Sequence, residues 1–347
     1  MHRGSPSQMV PSSKVPHGNE TISDVLVLVG FSYLNKLQIL LFLVLLVIYL
    51  VTLMGNLLVV LLIRITPSLH TPMYFFLVNL SFVEICFTTS IVPQLLVHLL
   101  VEEKTISIAG CAAQMYFFNI TGLLQSCILA AMAYDRYVAI CHPLHYTTIM
   151  SGQVCALLAG ASWFICISEE VGQIMWIFSL PFCGSNRIHH FFCDTPPVLK
   201  KACIDTSHIN ILRLIVIVLF IMSPFLLILL SYICIISTIL KLPSRDERCK
   251  VFSICFSHLM VVTLSYGTAL ITYLVHTSNS TTESDPLIFL LTIVVSPVLN
   301  PIIYTLRNKE VKVALRNTLR MSIFSQNWRN QAMTSRISQS GGMNGTP

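Results

Sequence analysis

The chain has 347 residues, a mean hydropathy of +0.76, 54% hydrophobic residues and only 10% charged ones. A soluble domain carries about 25% charged residues, so these charges are too few to cover a water-facing surface, and most of the chain must meet lipid. The net charge of +6 comes without a basic run interleaved with aromatics, which excludes a nucleic-acid binder, and twelve cysteines are too sparse for a disulfide-built mini-domain.

Residues 1–36 are polar and mixed, without a basic start followed by an apolar run, so the first helix is expected to act as its own insertion signal. A span needs about 20 mainly apolar residues. Seven stretches qualify: Leu37–Ile63, Met73–Leu99, Ser107–Tyr134, Val154–Phe178, Ile209–Leu240, Val251–His276 and Pro286–Leu306. Glu169 and Glu170 interrupt the fourth and make it the weakest. The fold class is therefore an all-α membrane protein, a seven-helix bundle over 37–306.

Loop charge sets orientation. With the N-terminus outside, the inner side takes Arg64, Arg136, the strongly basic connection Lys241–Lys250 and a basic tail from Arg307 onward. Residues 1–36 then form an extracellular segment, and Asn19-Glu20-Thr21 is a glycosylation sequon on it. Asn279-Ser280-Thr281 lies outside but close to the membrane, and Asn119-Ile120-Thr121 falls within a span and should be unused. Residues 307–347 form a cytoplasmic tail. In it Val311, Leu315 and Leu319 recur four apart with bases between, which reads as a short amphipathic helix on the inner leaflet, followed from Ser322 by a polar, disordered end.

Cys111, Cys183, Cys193 and Cys203 fall on the outer side, where disulfides persist. Four cysteines allow three pairings. A bridge from Cys111 to the long loop Leu180–Ser207 would pin that loop over the bundle mouth. His189, His190 and Cys193 also suggest a metal site, but a disulfide would consume the thiol.

Pro224, Pro297 and Pro301 lie within spans, and each removes a helix hydrogen bond. Asn300, Pro301 and Tyr304 place an amide, a break and a phenol at one end of the seventh span. Asn56 and Glu84 are polar at similar depth. An unpaired carboxylate in lipid costs several kcal/mol, so Glu84 needs partners. Asp135 and Arg136 stand side by side at the inner end of the third span. Such a pair marks function by default, although a lone Arg there can also simply snorkel to the interface.

Several stretches together resemble odorant receptors of the rhodopsin-like G-protein-coupled class. These are LHTPMYFFL at Leu69–Leu77, MAYDRYVAIC at Met132–Cys141 (with Asp135-Arg136-Tyr137), Ser231-Tyr232, and FSICFSH at Phe252–His258. Asn300-Pro301-Ile302-Ile303-Tyr304 and the cysteine-rich Leu180–Thr206 complete the set. The resemblance runs from Gly30 to Leu319. It implies a receptor for small volatile molecules, lying in the plasma membrane of olfactory sensory neurons and their cilia. Its partner would be a stimulatory G protein that raises cyclic AMP. No cofactor and no nucleic acid enter. The resemblance also implies a Cys111–Cys193 bridge and a Cys183–Cys203 bridge. The family often has an acid on helix 3 where Gln125 stands; here a neutral amide weakens any sodium site at Glu84, and no other metal is expected.

Helical spacing places Phe118, Asn119, Gly122 and Leu123 on one face of the third span, and Tyr266, Ala269, Leu270 and Tyr273 on one face of the sixth. The resemblance turns both faces inward as a ligand pocket, with Phe220 from the fifth span. Gly122 leaves room, and Tyr266 and Asn119 can each orient a ligand by one hydrogen bond. At the inner end Arg136 is expected to pair with Asp135 at rest. On activation the sixth span swings out, Tyr232 and Tyr304 repack beneath Arg136, and His258 joins this network or merely packs. Glu169 and Glu170 either face the pocket and favour a basic or hydrogen-bonding ligand, or, in the plainer and preferred reading, one meets the headgroups while the other pairs with a neighbour. A transporter would show paired half-helices or repeats. An enzyme would show a catalytic motif such as HExxH, GxSxG or a phosphate loop. The chain has none of these.

Overall fold

Capping residues and prolines, more than the apolar runs themselves, set where the helices begin. The computed structural model describes residues 25–30, 37–277, 285–307 and 310–318, with side chains left out at 250, 254, 272–277, 285–288, 292 and 305–307. The spans are α1 (Gln38–Ile65), α2 (Pro72–Leu100), α3 (Ile108–Cys141), α5 (Gly152–Phe178), the continuous pair α7 (Ser207–Ile217) and α8 (Ser223–Leu240), α9 (Arg245–Thr277) and α10 (Asp285–Arg307). Short helices α4 (Tyr146–Ile149) and α6 (Thr195–Leu199) lie in connections, and α11 covers 310–318. Pro72 opens α2 at a position where its missing N–H costs nothing. Ser107 caps α3 by accepting from the Gly110 N–H at 3.0 Å, and Ser151 caps α5 from Val154 at 3.4 Å. Exposed Asp205 accepts from the Ser207 N–H at 2.9 Å ahead of α7, and the hydrogen bonds from Ser207 hold its carboxyl below the usual range.

Among the described residues, six helical stretches are long and apolar enough to cross a membrane, and Phe289–Tyr304 adds a shorter apolar run. This is the seven-helix bundle. α5 runs unbroken through Glu169 and Glu170, because a helix satisfies its own backbone whatever its side chains carry. Leucines and isoleucines on α1, α5 and α8, such as Ile39, Leu157 and Leu227, face outward toward lipid.

Two breaks are absorbed locally. Just before Pro224 the fifth span winds into a π turn, Val218–Met222, so the helix continues with its register shifted. In α10, Pro301 cannot donate to the Pro297 carbonyl four residues earlier. The Asn56 side chain of α1 supplies that donor across the interface at 3.3 Å. Gly55 allows the approach, since a Cβ there would already sit 3.1 Å from the Pro301 ring.

The disulfide end carries a small sheet, in which part of the N-terminal segment takes strand form. β1 (Val25–Leu28) lies between β2 (Thr105–Ser107), antiparallel, and β3 (Arg187–Ile188), parallel. Lys104 donates to the Gly30 carbonyl at 2.9 Å, and burial pushes its ammonium below the usual lysine range. A side chain at Gly30 would collide with the Phe191 backbone, 2.6 Å from its Cα. Cys111 is bonded to Cys193, and Cys183 to Cys203. Phe191 and Phe192 pack over Phe289 and the ends of α1 and α2, closing that end of the bundle.

At the opposite end, α11 buries Val311 and Ala314 and half-buries Leu315 against the core, while Lys312 and Arg316 stay exposed. Tyr74 donates to Glu310 at 2.6 Å and ties this helix to α2. Leu319 and the sequons at Asn19 and Asn279 lie outside the described residues.

Candidate functional site

A cavity of about 290 Å³ opens between α3, α5, the α7–π turn, α9 and α10, roofed by the residues that follow Cys193. Six of the pocket residues read from helical spacing line it: Phe118, Asn119, Gly122, Leu123, Tyr266 and Ala269. A Cβ at Gly122 would meet nothing within 4 Å, so this glycine holds open part of the space. Leu270 and Phe220 do not line it. Leu270 is 58% exposed and turned to the lipid side, because one helical step from Ala269 rotates a side chain by about 100°. Phe220 packs half-buried against the core. The π turn directs Ile217 and Ile221 inward instead. The side chain of Tyr273 lies outside those described.

The lining is more polar than the sequence reading allowed. Glu170 faces the cavity and also pairs with a neighbour, so each of the two readings of the glutamates is met in part. It is 1% exposed and accepts from Asn119 at 2.8 Å. Glu169 does not line the cavity, and among the described residues its Oε2 is buried without a hydrogen-bond partner. Asp194, Thr195, Gln173 and Arg213 also line the cavity, and Arg213 lies within electrostatic reach of Asp194 and Glu170. None of the four was singled out from sequence. The one available signal for Asp194 and Thr195 was their place beside Cys193, which its bridge to Cys111 holds over the mouth. The Tyr266 hydroxyl is buried beside Ser126 and makes no hydrogen bond of good geometry with the protein. His190, one of the candidate metal ligands, is packed among Phe191, Phe192 and Phe289, and Cys193 is consumed by its bridge.

A chain of polar groups leads from the cavity floor toward the middle of the bundle. Gln125 on α3 donates to Ser265 on α9 at 3.1 Å, and Ser265 and Ser296 on α10 are 3.0 Å apart. Asn300 donates to Ser296 at 3.3 Å and to the Glu84 carboxylate on α2. Glu84 is thus partnered despite its depth. Asn56 Oδ1 and Asn300 Oδ1 are buried without hydrogen-bond partners among the described residues. One carboxylate and two such amide oxygens are donors that a hard monovalent cation accepts. Gln125 turns its NH₂ to Ser265 and adds no charge to this cluster.

The opposite end departs from the expected resting pair. Asp135 accepts from Tyr146 of α4 at 2.8 Å, and Arg136 donates to the Met73 sulfur at 2.9 Å. Among the described residues the two charges form no ion pair. Consecutive helical residues point in different directions and do not face each other. Burial, and then the Asp135 carboxylate beside it, push the Tyr146 phenol up, so it remains a donor. Tyr137 pairs with His142 at 3.0 Å. His258 on α9 is fully buried and joins three helices. Its Nε2 lies 3.2 Å from the Leu129 carbonyl, which only accepts, so Nε2 carries the proton and Nδ1 accepts from Tyr232 of α8 at 2.8 Å. The Tyr304 hydroxyl is buried without a hydrogen-bond partner among the described residues, near Arg136, Glu84 and Tyr232.

Comparison with known proteins places these features in a family. The family model described as "Olfactory receptor" matches residues 45–321. The human olfactory receptor 10A4 is 53% identical over 309 residues, covering 89% of this chain and 98% of that one. Human olfactory receptor 10A5 is 52% identical over 302 residues, covering 87% and 95%. The crystal structure of squid rhodopsin superposes with a TM-score of 0.67 over 83% of this chain and 87% of that one. At 17% identity this likeness speaks for the fold alone.

Proposed function

The chain belongs to the olfactory receptor family, and on that premise we propose that it binds small volatile molecules in the 290 Å³ cavity and activates a stimulatory heterotrimeric G protein, raising cyclic AMP. In this reading the disulfide end faces outward with an extracellular N-terminus glycosylated at Asn19. The Asp135-Arg136 end faces the cytosol. The receptor works in the plasma membrane of olfactory cilia. The basic Lys241–Lys250 connection supports this orientation, as do cystines gathered at one end.

One observation carries the mechanism: the helix that lines the cavity through Tyr266 and Ala269 is also held about two turns closer to the opposite face by His258. A ligand lodged between α3 and α9 favours a different spacing of the two helices. The Gln125–Ser265 hydrogen bond senses that spacing at the cavity floor, and the Tyr232–His258–Leu129 bonds resist it about two turns below. If the two arrangements differ by a few kcal/mol, differential binding is enough to shift the population. Movement of α9 then releases Tyr232, and Arg136 leaves Met73 for the G protein. Tyr137, Asn300, Pro301 and Tyr304 complete the switch, with the proline-broken α10 repacking around Tyr304.

The test is a volatile panel scored by cyclic AMP in cells supplied with the stimulatory G protein, using the native receptor and Arg136→Ala. The variant should reach the surface and lose the ligand-evoked response. A normal response from it overturns the mechanism.

A further inference from the structure

The cavity's polar corner is a set of opposite charges that do not close on each other. Glu170 is buried, and among the described residues the hydrogen bond it accepts comes from Asn119 on Oε1, which leaves Oε2 open. Arg213, half-buried on α7, lies in the field of Glu170 and Asp194. Among the described residues it makes no hydrogen bond and no ion pair within 4 Å. Asp194 is held at the roof, where its Oδ1 accepts from the Thr195 N–H at 2.7 Å. All three charged side chains line the cavity.

We propose that this corner takes the hydroxyl of a neutral alcohol, which donates to the open oxygen of Glu170 and accepts from the Arg213 guanidinium. This rests on the cavity being the ligand site and names the chemistry it selects. An added ammonium would stand beside Arg213, and an added carboxylate beside two acids; either places like charges together in a low-dielectric space. A hydroxyl adds no net charge and is donor and acceptor at once. It therefore bridges the unclosed gap, and its bonds to charged groups are the stronger kind. The ligand's apolar body lies along Phe118 and Gly122 toward Tyr266. At about 30 Å³ of liquid volume per water-sized group, the cavity holds roughly ten such groups, the size of a medium-chain alcohol.

The experiment compares octan-1-ol, 1-methoxyheptane, octan-1-amine and octanoic acid as cyclic AMP agonists, with surface level measured in parallel. The receptors are native, Glu170→Gln, Glu170→Leu and Gly122→Leu. On the native receptor octan-1-ol should act at a half-maximal concentration at least tenfold below the other three. Glu170→Leu should erase its advantage over the ether. Glu170→Gln removes one negative charge beside Arg213, so octanoic acid should gain at least tenfold relative to octan-1-ol. A misfolded receptor does not produce such a gain. The proposal is overturned if octan-1-ol is inactive, if the amine, acid or ether equals it on the native receptor, or if Glu170→Gln leaves octanoic acid unchanged. Gly122→Leu separates this from failure of the site itself. Responses that survive unchanged when the cavity is filled show that the ligand binds elsewhere. Responses that vanish there but rank the amine or acid first remove only the hydroxyl.

Discussion

Gly122 offers a perturbation whose effects on folding and on response run in opposite directions. It lies inside α3, where glycine costs about 1 kcal/mol relative to alanine. A Cβ there would touch nothing within 4 Å, so substitution brings no clash. Gly122→Ala and Gly122→Leu should therefore both gain about 0.5–1 kcal/mol of stability. The leucine's four carbons, however, project into the 290 Å³ cavity and take about 100 Å³ of it. At about 0.8 kcal/mol per methylene of ligand burial displaced, three or four displaced groups remove roughly 3 kcal/mol of binding. That is on the order of a 100-fold rise in half-maximal concentration. Gly122→Ala should cost about one methylene, a few-fold, and shift preference toward shorter ligands. Thermal unfolding in detergent measures the first effect, and cyclic AMP dose–response at matched surface level the second. An unchanged dose–response for Gly122→Leu would show that this cavity does not hold the agonist.

Asn56→Ala leaves the Pro297 carbonyl without its donor. Interhelical hydrogen bonds in membranes average about 0.6 kcal/mol and reach about 1.7, so the unfolding free energy should fall by about 1 kcal/mol and the midpoint with it; an unchanged midpoint means that the Asn56 bond contributes nothing. The two disulfides close loops of different length, with separations of 82 and 20 residues. Chain entropy alone gives upper values of about 4.5 and about 3.3 kcal/mol, so serine replacement of Cys111 should depress surface level more than replacement of Cys203. Equal losses would show that loop closure does not set the order. Tyr146→Phe removes the partner of Asp135 at the signalling end and should raise basal cyclic AMP, since a buried acceptor left bare destabilises the resting arrangement by about 1–3 kcal/mol. A basal level equal to the native one would show that this bond does not hold the receptor closed.

Much of the cavity was legible before any coordinates, and the misses share a cause. Phe118, Asn119, Gly122 and Leu123 sit on a regular helix, where spacing alone decides which side chains share a face. Phe220 was misplaced because a π turn resets that spacing just ahead of Pro224. Leu270 was misplaced because an apolar residue in a span reads the same whether it meets lipid or ligand. Arg213 and Asp194 went unnoticed because they lie far apart in the chain and become neighbours only when the roof folds over α7. The expected Asp135–Arg136 pair failed on local geometry, since adjacency in a helix separates two side chains.

Composition and hydropathy alone determined the membrane class and the seven spans, because lipid admits few other ways to satisfy a backbone. The motifs at the ends of the third and seventh spans were enough to recognise the family, being local strings. Tertiary structure decided what no local string records. It set which donor serves the Pro297 carbonyl, which of two adjacent glutamates turns inward, and how the N-terminal strand pairs with two loops. Each of these depends on where a second, distant segment comes to lie, and a one-dimensional pattern carries no information about that distance.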